Sequence, residues 1–113
     1  MSTGSAPPVE NLTVDDIKSG LTSGSILLVD VREDHEFAAG HIPGSILVPL
    51  SVFSVDAIPD PNGRRIVLSC RSGRRSLTAA EMAFEQGLPI DAHYAGGFID
   101  WVAHEEEVAT GPD

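Results

Sequence analysis

Cysteine occurs once in this chain, at position 70. The stretch LSCRSGRRS (68–76) surrounds that thiol with Arg71, Arg74 and Arg75, with Ser72 and Ser76, and with Gly73. An isolated thiol has a pKa of about 8.5, and neighbouring cations or a helix N-terminus bring it to roughly 3.5 to 7.5. Guanidinium groups, hydroxyls and the backbone N–H groups of residues 71 to 76 therefore describe a place where a sulfur anion is kept ready to attack, with room for a second anion against it. The bland reading of a lone cysteine is a small buried hydrophobe, but a loop of arginine, serine and glycine is poor company for a core residue. With no second thiol there is no internal disulfide, so Cys70 acts without an internal partner thiol.

The arginines matter because the rest of the chain is acidic. Its 113 residues carry a formal charge of −10, yet five of the seven basic residues, Arg64, Arg65, Arg71, Arg74 and Arg75, lie within twelve positions. Positive charge is thus expected to be focused near the thiol. The overall charge repels phosphate backbones, and no basic stripe interleaved with aromatics overcomes it, which argues against nucleic acid as a ligand. No apolar run approaches the roughly 18 residues that span a bilayer, and MSTGSAPPVENL has neither a basic n-region nor an apolar h-region. Together with the single cysteine, this reads as a cytoplasmic protein with no membrane partner.

Elements that could position the thiol follow from the hydrophobic pattern. The length suits one domain, read as a loose tail over 1–8, a domain over 9–108 and a frayed end over 109–113. Thr13, followed by Asp15 and Asp16, starts a short helix that Gly20 stops. SILLVDV (25–31) is a continuous aliphatic run, as in a strand covered on both faces. REDHEFAAG gives a short helix with Phe37 inward and Gly40 at its end, HIPGS a tight turn, and ILVPL a second strand. A broken helix and an exposed PDPNGRR loop precede the buried-type strand IVLSC (66–70), and a helix over RRSLTAAEMAFEQG stops at Gly87. A short strand near AHYA leads into a last helix, FIDWVAHEEE, with Phe98, Trp101 and Val102 on one side. Strands alternating with helices predict an α/β domain on a mainly parallel sheet, and Cys70 then stands at the carboxyl end of a strand, where such sheets form their sites.

Three stretches together, LLVDVREDHEFAAGHIPGS, VLSCRSGRRS and YAGGFIDW, resemble the rhodanese-like sulfurtransferase family in its single-domain form, from about Thr13 to Trp101. The resemblance implies a three-layer α/β fold, its central, mainly parallel five-stranded sheet flanked by helices. It also implies a two-step transfer of a sulfane sulfur through a persulfide on Cys70, from a small anionic donor such as thiosulfate to cyanide, a thiol or a protein acceptor. Arg71 and Arg74 suit neutralisation of the donor, Gly73 a close backbone approach, and the loop amides with Ser72 or Ser76 the stored sulfur; Arg75 belongs to the same binding loop. Such a sulfur must be ionised and reachable from water.

Other readings stay open. One is a non-catalytic module that keeps this fold for docking, although such domains usually lose the cysteine or the loop. Another is a phosphatase or arsenate-reductase relative, disfavoured because a cysteine phosphatase needs arginine six positions after the nucleophile, where this chain has Ser76, and because no second cysteine resolves an adduct. Asp30 and Arg32 are supporting residues: an Arg32–Glu36 ion pair is expected at helix-turn spacing, and Asp30 could orient Arg75 or the loop amides. His41 is expected to satisfy backbone groups in a turn, and His35, His93 and His104 to face solvent or pack locally. No histidine spacing resembles a metal site, so neither metal nor cofactor is expected. Gly96 and Gly97 shape a turn rather than a dinucleotide fingerprint, Trp101 belongs to the core, and HEEE is a solvated face.

Overall fold

The computed structural model describes residues 7–112, so positions 1–6 of the expected tail and Asp113 lie outside the described residues. Eleven elements follow in order: β1 (Glu10–Leu12), α1 (Val14–Ser23), β2 (Ile26–Asp30), α2 (Asp34–Ala39), β3 (Ile46–Leu47), two 3-10 turns (Leu50–Val52 and Val55–Ala57), β4 (Arg65–Ser69), α3 (Arg75–Glu85), β5 (Ala92–Tyr94) and α4 (Gly97–Ala103). The five strands form one sheet in the order β1-β5-β4-β2-β3, with every pairing parallel.

Side chains alternate across a strand, and here both faces are covered. Leu27 and Val29 of β2 and Leu68 of β4 pack with Ala79, Ala80 and Ala83 of α3. Ile26, Leu28 and Val67 point the other way, toward Ile17 of α1 and Trp101 of α4. These two layers of helix explain why β2 reads as an unbroken aliphatic run: all five of its residues are buried.

The helix caps follow local chemistry, with differences from the sequence reading. Thr13 Oγ1 accepts the Asp16 N–H and Asp16 Oδ2 accepts the Thr13 N–H, a reciprocal capping box. The first helix does not stop at Gly20. It runs on to Ser23, and Gly20 serves packing instead, because a Cβ there would lie 2.8 Å from Ile26 side-chain carbons. β3 is shorter than ILVPL because Pro49 has no N–H, although Val48 and Leu50 still donate to the carbonyls of Asp30 and Val31. β1 had no aliphatic signal: it is a three-residue edge strand with only Leu12 buried. Val102 is 48 % exposed rather than inward with Trp101. Nor does the end fray from 109, since Ala109 exchanges two backbone bonds with His41, and the Gly111 N–H donates to Ala38.

At the carboxyl end of β2 a buried ion pair replaces the expected Arg32–Glu36 contact. Arg32 Nη2 lies 2.7 Å from Asp30 Oδ2, its Nε reaches both carboxylate oxygens, and Nη2 also donates to the Gly40 carbonyl at 2.8 Å. Backbone geometry favours this partner, because the Arg32 N–H already donates to Asp30 Oδ1. Removing one member leaves the other charge buried and unpaired. Arg32→Ala is therefore expected to cost about 3–5 kcal/mol in urea unfolding, and the double change Asp30→Leu with Arg32→Met to recover most of that loss.

Candidate active site

β4 lies in the middle of the sheet, and the chain leaves its carboxyl end at Cys70. Two helix N-termini, each with backbone donors that have no partner inside the helix, fix what happens next. At α4, the N–H groups of Phe98 and Ile99 donate to the carbonyls of Cys70 (2.8 Å) and Arg71 (3.0 Å). At α3, the Ser76 N–H donates to Cys70 Sγ at 3.3 Å, and the Gly73 N–H donates to the same sulfur at 3.1 Å. Arg74, the cap residue of α3, contributes no side-chain cap bond; the sulfur takes the donor that a capping oxygen would have taken.

Two glycines let the segments approach this closely. Gly97, at φ +69°, turns its bare face to the thiol loop, where a Cβ would come within 2.6 Å of the Cys70 carbonyl oxygen. Gly73, at φ +91°, lies so close to the Ala95 carbonyl that a side chain would collide with it. The CRSG and AGGF stretches are thus interlocking halves of one turn, consistent with the turn-forming role expected of Gly96 and Gly97.

Burial pushes the Cys70 thiol up. Against it stand the Ser76 hydroxyl, 3.6 Å from the sulfur, and the amides of Ser76, Ser72 and Gly73, and the balance lies below the ordinary thiol value. Hydrogen bonds rather than arginines supply the leading stabilisation. The sequence reading asks for a sulfur reachable from water, and the structure departs from it: Cys70 is 1 % exposed and packs beside the α3-side core. The amides that hold it also cover it, while Arg71, Ser72 and Arg74 beside it in the loop are exposed.

The expected focus of five arginines is reduced by topology. Arg65 opens β4, about 17 Å from the thiol end of a five-residue strand, and pairs with Glu10 and Asp91. Arg64 donates to the Pro61 carbonyl. Arg75 is held by Glu36 of α2 in a bidentate pair at 2.7 and 2.9 Å, so its hydrogen-bond partner is Glu36 rather than Asp30, which acts on it only through its charge. Among the described residues Arg71 and Arg74 have no ion-pair partner. Arg32, stacked 4.3 Å from the Phe98 ring centroid, steadies the residue whose N–H holds the Cys70 carbonyl. Beside the loop lies a cleft of about 550 Å³ lined by Arg71, Phe98, Ile99 and Val102, among others.

His41 behaves as expected, with Nδ1 2.8 Å from the Phe37 carbonyl and its ring stacked on Phe37. His93 does not. It is 2 % exposed, with Nδ1 2.7 Å from Ser76 Oγ and Nε2 2.8 Å from Asn11 Oδ1. A polar residue between Ala92 and Tyr94 in a strand covered on both faces must find buried partners, and that was its one signal in the sequence.

Comparison with known proteins gives the family and the fold. Residues 13–104 match the model of the rhodanese-like domain. The chain is 32% identical over 111 residues to a thiosulfate:glutathione sulfurtransferase of Saccharomyces cerevisiae, covering 85% of this chain and 80% of that protein. It is 29% identical to the Homo sapiens protein of the same name, covering 83% and 94%. The solved human single-domain sulfurtransferase superposes with a TM-score of 0.67 at 29% identity, covering 82% of this chain and 95% of that one. The chain belongs to the rhodanese-like domain family, and its fold is the rhodanese fold.

The Glu36–Arg75 pair ties α2 to the thiol loop and carries a pH signature. The hydrogen bond from Arg75 holds the Glu36 carboxyl at about 2, against an ordinary 4.5. A depressed carboxylate stabilises the fold above its unfolded-state value and loses that contribution as pH falls through the folded one. Glu36→Gln is expected to lower the urea midpoint at neutral pH, with the gap between variant and parent closing as pH drops from about 4.5 toward about 2. A gap independent of pH would show the pair to be energetically idle.

Proposed function

We propose that the protein is a sulfurtransferase in which Cys70 accepts a sulfane sulfur from a small anionic donor and passes it to a thiophilic acceptor. The observation that carries this reading is the convergence of the Gly73 and Ser76 amides on one sulfur, donors that a cysteine serving only to fill the core does not need. In the first step the Cys70 thiolate attacks the outer sulfur of thiosulfate. The new S–S bond forms as the donor's S–S bond breaks, sulfite leaves with the electron pair, and Cys70 holds an anionic persulfide. In the second step cyanide or a thiolate attacks the outer sulfur, giving thiocyanate or a new persulfide, and the Cys70 thiolate is regenerated. No cofactor takes part.

Roles for the loop follow from charge and exposure. Arg71 and Arg74 are exposed and have no carboxylate partner among the described residues, which suits them to offset the two charges of thiosulfate as it nears a thiolate. The amides of Ser72 and Gly73 and the group at Ser76 hold the persulfide anion. Arg75, engaged by Glu36, supports the loop rather than gripping substrate, and Asp30 with Arg32 supports it from β2. Relatives named for transfer from thiosulfate to glutathione favour a thiol acceptor, and the cleft beside Arg71 offers it space. A cytoplasmic setting completes the reading.

Incubation with thiosulfate is expected to add the mass of one sulfur atom to the native protein, reversibly with cyanide, and to add nothing to Cys70→Ser. A native Cys70 that resists both thiosulfate and iodoacetamide would return it to the role of a core residue. Arg71→Ala with Arg74→Ala should reduce kcat/KM for thiosulfate by at least about tenfold, the loss expected from a charged contact of about 1.5 kcal/mol, with the urea midpoint unchanged.

A further inference from the structure

Ser76 has one hydroxyl hydrogen and two groups that could receive it. Its Oγ stands 3.6 Å from Cys70 Sγ on one side and 2.7 Å from His93 Nδ1 on the other. All three residues are buried. Beyond His93 the chain of contacts continues to Asn11 Oδ1 at 2.8 Å from Nε2, and Asn11 lies on the exposed edge of β1. An amide oxygen only accepts, so Nε2 carries a hydrogen and the neutral ring presents the Nδ1 lone pair to Ser76. In that state the Ser76 hydrogen points at His93, and the sulfur faces an oxygen lone pair, which suits a protonated thiol.

We propose that His93 takes the Cys70 proton through the Ser76 hydroxyl, making Cys70, Ser76, His93 and Asn11 a relay that sets the charge on the sulfur. In the transfer the S–H bond breaks as a new O–H bond forms on Ser76, while the original Ser76 O–H bond breaks as Nδ1–H forms. The product is a thiolate that accepts a hydrogen bond from Ser76, which in turn accepts one from the imidazolium. No proton is gained or lost, and no other reactant is required. This rests on the proposed sulfur chemistry only in giving the thiolate a use. His93 acts through Ser76 and is a positioning residue.

The surroundings set the terms of this traffic. Burial pushes the His93 imidazole below its ordinary value, so at neutral pH it stands unprotonated, and the same burial opposes the imidazolium, which the thiolate formed beside it must offset. Charged groups on the adjoining elements are engaged elsewhere or face solvent: Glu10 of β1, Arg65 of β4 and Asp91 pair together, Arg75 of α3 pairs with Glu36, Glu81 and Glu85 are exposed, and Tyr94 of β5 donates to Asp100. Leu68 is the β4 neighbour in register with His93.

The test is the pH profile of Cys70 alkylation by iodoacetamide on the full chain, for the parent, His93→Gln and Asn11→Asp. Glutamine can still bond to Ser76 but does not titrate, so the midpoint should rise by about one pH unit, leaving about a tenfold lower thiolate fraction at neutral pH, with full reactivity restored in alkali. Aspartate at the exposed position 11 stabilises the imidazolium, and the midpoint should fall. A uniform rate loss at every pH in His93→Gln, or an unmoved midpoint in Asn11→Asp, would overturn the relay. If His93→Gln does not fold, the Asn11→Asp profile decides alone. Sulfur uptake from thiosulfate by the parent is scored separately: its absence would sink the sulfurtransferase reading while leaving the relay standing on its alkylation profile.

Discussion

The structure depends on unsatisfied N–H groups at two helix N-termini, both aimed at one short loop. Donors of α4 hold the loop by its carbonyls at Cys70 and Arg71, and a donor of α3 holds it by the sulfur itself. Neither helix could leave these groups bare in a buried setting without cost. The loop therefore satisfies helix ends and presents a thiol in the same geometry. Stability and the proposed chemistry share these hydrogen bonds, and loss of the loop's shape would expose both helix ends.

That arrangement changes which force lowers the thiol below its ordinary value. A reading of charges alone gives the arginines the leading part, whereas the structure gives it to the Ser76 hydroxyl and to oriented amide dipoles at 3.1 and 3.3 Å. The two mechanisms differ in kind. Amides fixed in a turn need no counter-ion, are weakly screened by salt and do not reorganise as a sulfur arrives or departs. Exposed guanidinium groups act at longer range and suit the arrival of a charged donor. Arg71 and Arg74 are available for that second task because Arg75 is occupied by Glu36 and Arg65 lies at the far end of its strand.

Support spreads outward through contacts that are themselves buried. Asp30 holds Arg32, Arg32 lies over Phe98, and the Phe98 N–H holds the Cys70 carbonyl. On the other side His93 and Asn11 reach the sulfur through Ser76. β5 is central here, because its register sets Asn11 beside His93 and Leu68 opposite it. A one-residue slip of that pairing would turn His93 to the other face and break the chain of contacts.

Much of this was legible without a fold. The aliphatic runs of β2 and β4 announce strands covered on both faces, the Thr13 cap sets a helix start, and LSCRSGRRS marks the loop that carries the thiol, because each signal is local. Partnerships between distant residues were not legible. Residues four apart made Arg32–Glu36 the natural pair, yet the local turn gave Arg32 to Asp30, two positions away, and tertiary contact gave Glu36 to Arg75, 39 positions away. Arg64 and Arg65 looked like part of the thiol's field only because sequence distance hides the length of a strand. His93 and Asn11 are 82 residues apart and meet only because β1, a strand too short to carry its own pattern, is fixed by its neighbour. The sequence determined that a thiol would stand at a strand's end before a helix; only three-dimensional packing decided which donors face it, since hydrogen bonds depend on distance in space and not along the chain.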